Sequence, residues 1–337
     1  MSAGASRPVV YITPEALVRA EGPWVTMLEQ AGFEVRFPDD STFGRGTAGD
    51  AETLRVLADA SAVIAGGEHF TPTVIGGLSN LRVIARCGVG FDRVNVGVCT
   101  ERGIPLTITP TSNHESVAET TFALILALAK GIVVNDARTR AGNWERASNE
   151  PIRRKTLGIF GLGRIGRSTA IRGRGMAMNV IATEAFPDRK FAEQYGIRLV
   201  DFDTLLAESD CLSLHCPLND ETRGMFNRSV FQRMKPGSVL INTARGGLVV
   251  EADLIEALKH GPLSGAGLDV FEVEPVSASN PLFQLSNVVV HPHLAGVDWL
   301  SQNEMANECA DCIIKLSRNQ WPDGAVVNDS LRHSWKW

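Results

Sequence analysis

Short apolar runs rich in β-branched residues alternate with longer amphipathic segments along most of this chain, and the alternation comes in two series. The first comprises VVYIT (Val9–Thr13), FEVRF (Phe33–Phe37), AVIAG (Ala62–Gly66), LRVIARCG (Leu81–Gly88) and PLTIT (Pro105–Thr109). Between these lie a polar–apolar segment reaching Ala31 and a helix predicted near Asp50–Ala60. The second series, TLGIF, NVIAT, IRLV, CLSLHC, SVLINT, GAGLDV and NVVVH, runs from Thr156 to His291. Strand-length runs separated by helical segments predict βαβ units and therefore parallel sheets. The pattern predicts an α/β protein of two domains, the second built on a doubly wound sheet of six or seven strands.

Two longer helices frame the second series. Asn113–Gly131, NHESVAETTFALILALAKG, has a very apolar body but is too short for a bilayer and carries Glu115, Glu119 and Lys130 toward its ends, so it reads as a buried helix linking the domains. Another is predicted at about Asp298–Arg318, before a tail from Asn319 with little periodicity. The second domain is thus inserted between the first and a returning C-terminal segment.

The junction TLGIFGLGRIG (Thr156–Gly166) carries the first chemistry, because a strand-like run delivers G-x-G-x-x-G into a predicted helix, Arg164–Ala177. Gly161 makes the turn, Gly163 lets a pyrophosphate approach the backbone, and Gly166 lets the helix pack closely, while the helix N-terminus offers unpaired amides to the anion. A glycine turn alone is compatible with any tight loop. Glu184, eighteen positions after Gly166 at the end of the next strand, adds the acidic group expected at an adenosine ribose diol. It would repel the extra phosphate of NADP, so the expected cofactor is NAD (NADH).

Composition excludes other classes. A net charge of −5, with Arg153-Arg154-Lys155 as the densest basic run, gives no case for nucleic acid or an anionic membrane surface. No apolar segment reaches bilayer length and MSAGASRPVV lacks the core of a signal peptide, so the expected location is the cytoplasm. Cys309 and Cys312 form a C-x-x-C, but it lies within the helical segment Gln302–Arg318 and no second such pair accompanies it. It reads as structural, and no metal is expected.

Three later motifs end strands, where ligands bind in open α/β sheets: NTARGG (Asn242–Gly247), DVFEVEP (Asp269–Pro275) and HPH (His291–His293). Arg245 is a permanent cation whose planar fork suits a carboxylate. His293 is the side chain suited to proton exchange near neutral pH, and Glu274 would orient its ring and favour its protonated form. With a nicotinamide, these three suffice for reduction of a carbonyl. Singly, each has a plainer reading as a surface ion pair, a solvated loop residue or a helix cap.

GLGRIG, LHCPLNDETRGMFN, INTARGGLVVEADLIEAL, GLDVFEVEP and HPHLAG, in that order, closely resemble the D-isomer-specific 2-hydroxyacid dehydrogenase family. Upstream, ARCGVGFDRVNVGVCTERGIPLT and NHESVAETTFALILALAK match its first-domain loop and interdomain helix. The resemblance implies two Rossmann-like or flavodoxin-like parallel-sheet domains, with catalysis in the cleft between them. Residues 1–107 and 297–337 would form the substrate-binding domain and 108–296 the NAD-binding domain. It further implies catalytic roles for Arg245, Glu274 and His293. Cofactor contacts are implied at Gly161, Gly163, Arg164, Ile165, Gly166, Glu184, Cys216, Pro217, Thr243, Ala244 and Asp269. Gly88, Val89 and Gly90 would receive the substrate carboxylate, and Asn113 is read as an N-cap that also faces the cleft. The family's members are commonly dimers, which would make Asn135–Pro151, with Trp144, a dimerisation arm.

Where phosphoglycerate-specific relatives carry an Arg after the third strand, this chain has Gly66, Gly67 and Glu68, which argues against a phosphorylated substrate; His69 would restore positive charge only when protonated. His291, where Thr is usual, is read as shaping the pocket, and Trp299 as core packing. The expected function is interconversion of an (R)-2-hydroxyacid and its 2-oxoacid, with a small-molecule acid as partner. The alternatives are an NADH-sensing corepressor or scaffold of the same fold, or a formate- or phosphite-type dehydrogenase.

Overall fold

The structure, a computed structural model, describes residues 7–337. The strands in chain order are Val9–Ile12 (β1), Glu34–Arg36 (β2), Ala60–Ala65 (β3), Val83–Arg86 (β4), Leu106–Thr107 (β5), Thr156–Phe160 (β6), Asn179–Thr183 (β7), Arg198–Leu199 (β8), Cys211–Leu214 (β9), Val239–Asn242 (β10), Gly265–Leu268 (β11) and Val288–Val290 (β12). The helices are Pro23–Gln30 (α1), Asp50–Val56 (α2), Pro72–Gly77 (α3), Val96–Glu101 (α4), His114–Lys130 (α5), Ile132–Arg140 (α6), Arg164–Gly175 (α7), Arg189–Gln194 (α8), Phe202–Glu208 (α9), Arg228–Phe231 (α10), Glu251–Lys259 (α11) and Trp299–Ser317 (α12). Every apolar run named above contributes a strand. All pairings between these strands are parallel.

The chain divides into two units, one formed by the described residues up to Asn113 together with Trp299–Trp337, the other by His114–Asp298. In the first, the sheet order is β2-β1-β3-β4-β5. Successive residues of β3 point to opposite faces, and each face is covered. Ala62 and Ile64, with Val10, Ile12, Val83 and Ala85, pack under Trp24 and Leu28 of α1 and Ala306, Cys309, Ala310 and Ile313 of α12. Val63 and Ala65, with Ile84 and Leu106, pack under Val74 and Ile75 of α3 and Cys99 of α4. Cys309 and Cys312 are thus buried free thiols on the core face of α12, and burial pushes the Cys312 thiol up to about 12.

The second unit has the order β12-β11-β10-β9-β6-β7-β8, reversing direction at β6 and β9. Leu212, Leu214, Leu240, Ala266 and Leu268 face one core beneath α9, α10 and α11. Leu157, Ile159, Val180, Ala182 and Ile241 face another, closed by Phe122, Leu124 and Ile125 of α5 and Ala170 of α7. Edge strands β2 and β8 are three and two residues long and carry Glu34, Arg36 and Arg198, which discourages further strand pairing.

The elements depart from expectation in three places. The helix predicted near Asp50–Ala60 stops at Val56, and Ala60 already belongs to β3. The long helix ends at Gly131 as expected, its φ of +57° reaching the left-handed region, but the chain restarts at once as a helix that was not expected, α6, at 57° to α5. The segment read as an extended arm from Asn135 is therefore helical to Arg140 and irregular only beyond it. Among the described residues no single helix is long and apolar enough to cross a membrane.

Ile313 is wholly buried against the first sheet, so Ile313→Ala is expected to lower the free energy of unfolding by about 2–5 kcal/mol, read from urea denaturation with an unchanged slope.

Candidate active site

The turn after β6 shows why each glycine stands where it does. Gly161 has a φ of +96°, and a Cβ there would lie 2.8 Å from the backbone of His215 and Cys216. A Cβ on Gly166 would lie 2.1 Å from the carbonyl oxygen of Gly161, so α7 packs directly onto the turn. At Gly163, by contrast, nothing lies within 4 Å of that position, leaving the backbone open to a ligand. Gly163 is the N-cap of α7 and no side chain caps the helix, so the first-turn amides of Arg164, Ile165 and Gly166 are available to an anion. Glu184, just beyond β7, borders the same turn: its carboxylate accepts from the amides of Leu162 at 2.6 Å and Phe186 at 3.1 Å. An open backbone approach, a helix N-terminus and an adjacent carboxylate fit a dinucleotide.

Beneath the turn, His215 exchanges a hydrogen bond with the Ser213 hydroxyl at 2.9 Å, and burial pushes its imidazole down to about 3. It is neutral at physiological pH. Burial likewise pushes the Cys216 thiol up to about 12, which makes it an inert neighbour, and Pro217 is exposed beside it.

Three further strand ends carry the side chains that the sequence leads one to expect in catalysis. Beyond β10, the buried Asn242 braces the turn, donating to the Arg245 carbonyl at 2.9 Å and accepting from the Ala244 amide at 3.0 Å. Thr243 shares a 3.0 Å hydrogen bond with Thr121 of α5. The Arg245 guanidinium donates to the Ala244 carbonyl at 2.7 Å. Gly246 follows because any Cβ there would lie 1.9 Å from the Phe271 carbonyl group; only glycine lets this turn meet the loop beyond β11. On that loop, Glu274 accepts from the Phe271 amide at 3.0 Å and pairs with Nδ1 of His293 at 2.7 Å.

Asp269, at the end of β11 and 1% exposed, anchors the loop that carries His293. Its Oδ1 accepts from His291 Nδ1 at 2.6 Å and the Leu294 amide at 2.9 Å, its Oδ2 from the Ala295 amide at 3.1 Å. Its carbonyl accepts from the His293 amide at 2.8 Å. These bonds hold His293 at a φ of +56°, a left-handed conformation costing about 1 kcal/mol or more in a non-glycine residue. His291 therefore works as a donor to Asp269.

In the first unit, Gly88 has a φ of +137° and its amide donates to the Thr109 hydroxyl at 2.9 Å. The neighbouring amides of Val89 and Gly90 donate to nothing among the described residues, so two of the three amides expected to receive a carboxylate are open. Asn113 is buried, but its Oδ1 accepts no hydrogen bond, so the expected N-cap is not made. Trp299 is 75% exposed rather than packed in a core, and His69 is exposed. Glu68 is buried.

Asn242, Thr121, Ser213 and Gly246 were not picked out from the sequence. Asn242 and Gly246 flank Arg245 within NTARGG; Asn242 braces its own turn, while the role of Gly246 depends on its contact with Phe271 elsewhere in the sequence.

Residues 122–295 match the family model described as D-isomer specific 2-hydroxyacid dehydrogenase, NAD binding domain. The chain is 42% identical over 286 residues to a D-3-phosphoglycerate dehydrogenase of Archaeoglobus fulgidus, a match covering 84% of this chain and 54% of that protein. It is 40% identical over 263 residues to a glyoxylate reductase of Thermococcus litoralis, covering 75% of this chain and 79% of that protein. The crystal structure of the TT0316 protein from Thermus thermophilus is similar with a TM-score of 0.83 and 32% identity, covering 95% of this chain and 99% of that one. The chain spans about half the length of the D-3-phosphoglycerate dehydrogenases it matches. It belongs to the D-isomer specific 2-hydroxyacid dehydrogenase family. Its second unit holds that family's NAD-binding domain, and NAD is its cofactor.

Asp269→Ala removes three acceptor contacts at once and is expected to lower stability by about 3 kcal/mol. Faster hydrogen exchange at the Leu294 and Ala295 amides would locate the loss in this loop.

Proposed function

We propose that this protein is an NAD-dependent oxidoreductase interconverting an (R)-2-hydroxyacid and its 2-oxoacid, acting on an unphosphorylated substrate. The observation that carries the reading is the 2.7 Å pair between Glu274 and Nδ1 of His293, which leaves Nε2 as the nitrogen for exchange with substrate. When bound, the nicotinamide supplies or accepts the hydride. In the reductive direction His293 gives its Nε2 proton to the carbonyl oxygen, and in the oxidative direction it takes that proton back. Glu274 fixes the ring and stabilises the imidazolium, as the carboxylate does in other His–carboxylate pairs. Arg245 holds the substrate carboxylate and polarises the adjacent carbonyl. Glu184, with no basic residue among Ala185, Phe186 and Pro187, supports preference for NAD over NADP.

The protein is proposed to act as a homodimer in the cytoplasm. Support for the dimer comes from the apolar exposure clustered on α6 and the residues after it: Ile132 is 58%, Val133 55% and Trp144 82% exposed.

Three measurements test this. His293→Ala is expected to lower kcat for 2-oxoacid reduction by about 10²–10⁴-fold while NADH binding, followed by fluorescence titration, persists. Near-normal turnover would refute the assignment. kcat/KM is expected to be higher with NADH than with NADPH, and a reversed preference would remove the role given to Glu184. Light scattering after gel filtration should give twice the chain mass, falling to one chain when Trp144 is replaced by Glu.

A further inference from the structure

Cys87 and Cys309 stand on either side of the inserted unit in the sequence, and the fold brings their thiols together inside the first unit. Residues of a strand alternate between its faces, so Val83 and Ala85 of β4 face α12, and Cys87, the first residue beyond the strand, continues that row. Small side chains line the contact. Ala85 on the strand and Ala306 and Ala310 on the helix let α12 lie close, and the Cys309 thiol donates to the Ala85 carbonyl at 3.7 Å. The same thiol is within hydrogen-bonding reach of Cys87.

The two thiols are not equivalent. Cys309 is 1% exposed, whereas Cys87 is only half-buried. The hydrogen bond from Cys309, aided by the Arg86 guanidinium, holds the Cys87 thiol below its ordinary value against the effect of burial. Burial and the neighbouring Cys87 push the Cys309 thiol well above. Burial also raises the thiols of Cys99, Cys211, Cys216 and Cys312, so Cys87 is the one cysteine among the described residues that is held below its ordinary value. A readily ionised, accessible thiol beside one that keeps its proton is the arrangement in which oxidation at the first is resolved by the second.

We infer that Cys87 is a modification site for hydroperoxides and that Cys309 resolves the product as a disulfide. The Cys87 thiolate attacks the terminal oxygen of the hydroperoxide, the O–O bond breaks, and the alkoxide or hydroxide leaves. Cys87 is thereby oxidised by two electrons to the sulfenic acid, and the peroxide is reduced. The Cys309 sulfur then attacks the Cys87 sulfur, the S–O bond breaks, and the hydroxyl departs as water with the Cys309 proton. The bridge ties the end of β4 to the returning helix that completes the same unit, closing a loop around the whole of residues 114–298. Cross-links that close long loops restrict the unfolded chain most, so oxidation staples the two separated parts of the first unit together. The inference concerns the first unit alone and stands apart from the reductase reading.

The test treats the full reduced chain with equimolar hydrogen peroxide, then unfolds it in iodoacetamide and maps the peptides by mass spectrometry. A linked Cys87–Cys309 pair, two hydrogens lighter than its separate peptides and absent after dithiothreitol, is the expected product, with Cys99, Cys211, Cys216 and Cys312 alkylated. Cys312→Ser should bridge as the wild type does. Cys309→Ala should form no bridge but leave a sulfenic acid at Cys87 that dimedone traps in the folded protein, and Cys87→Ser should lose both products. A bridge between Cys309 and Cys312, earlier oxidation of another cysteine, or a Cys87 that stays reduced overturns the assignment. Oxidised wild type is further expected to unfold at a urea concentration about 1 M above the reduced protein, a difference that both Cys309→Ala and Cys87→Ser abolish. Equal midpoints for the bridged and reduced wild type overturn the stapling role.

Discussion

A carboxylate with 1% of its surface exposed has to be matched by donors, and the Asp269 carboxylate finds all of them on the loop beyond β12. Satisfying the charge forces the amides of Leu294 and Ala295 and the ring of His291 to converge on it. That convergence holds His293 in a left-handed conformation which its own residue type disfavours. The direction of the His293 ring toward Glu274 follows from it. The His293–Glu274 pair is therefore positioned by the need to satisfy a buried charge on a neighbouring strand, and only secondarily by the pair's own hydrogen bond. A second constraint works beside it, since the absent side chain of Gly246 lets the Arg245 turn lie against the backbone that leads to Glu274. Together they bring the ends of β10, β11 and β12 to one place.

Much of this was readable in the chain. Apolar runs of strand length gave the strands of both sheets, because a parallel strand buried on both faces carries its own signature. The glycines after β6 and the acidic residue beyond β7 were readable because each does a job set by local backbone geometry. Asp269 was singled out only through the family resemblance, and its bonds to His291, Leu294 and Ala295 are made far along the chain. What could not be read were contacts made across long separations in sequence. Gly246 against Phe271 and Thr243 against Thr121 depend on which turns become neighbours. Nor does sequence say which donors are already engaged: Gly88 gives its amide to Thr109, and Asn113 caps nothing. Exposure was misjudged at Trp299, where an aromatic residue suggested a core. The end of the long helix at Gly131 was read correctly; the helix Ile132–Arg140 that follows it was not, and the left-handed turn takes Ile132 and Val133 away from the buried face.

The two glycine-containing loops after β3 and β6 make an instructive pair. Around Gly161 and Gly163, missing side chains leave backbone amides facing open space. At Gly66 and Gly67 they let the chain pack against the turn at Gly44. Similar composition yields open backbone donors in one unit and a tightly packed turn in the other.

The return of the C-terminal segment to the first unit also fixes an order of events. Val10, Ile12, Ala62 and Ile64 share their core with Trp24 and Leu28 of α1 and with Ala306, Ala310 and Ile313, so one face of the first sheet is only partly covered until α12 exists. During synthesis from the N-terminus, residues 114–298 emerge with both of their own cores available while the earlier strands still wait for the end of the chain. The inserted unit can thus mature first, and part of an apolar sheet face stays uncovered through the whole of its translation, a window in which protection by chaperones would matter most.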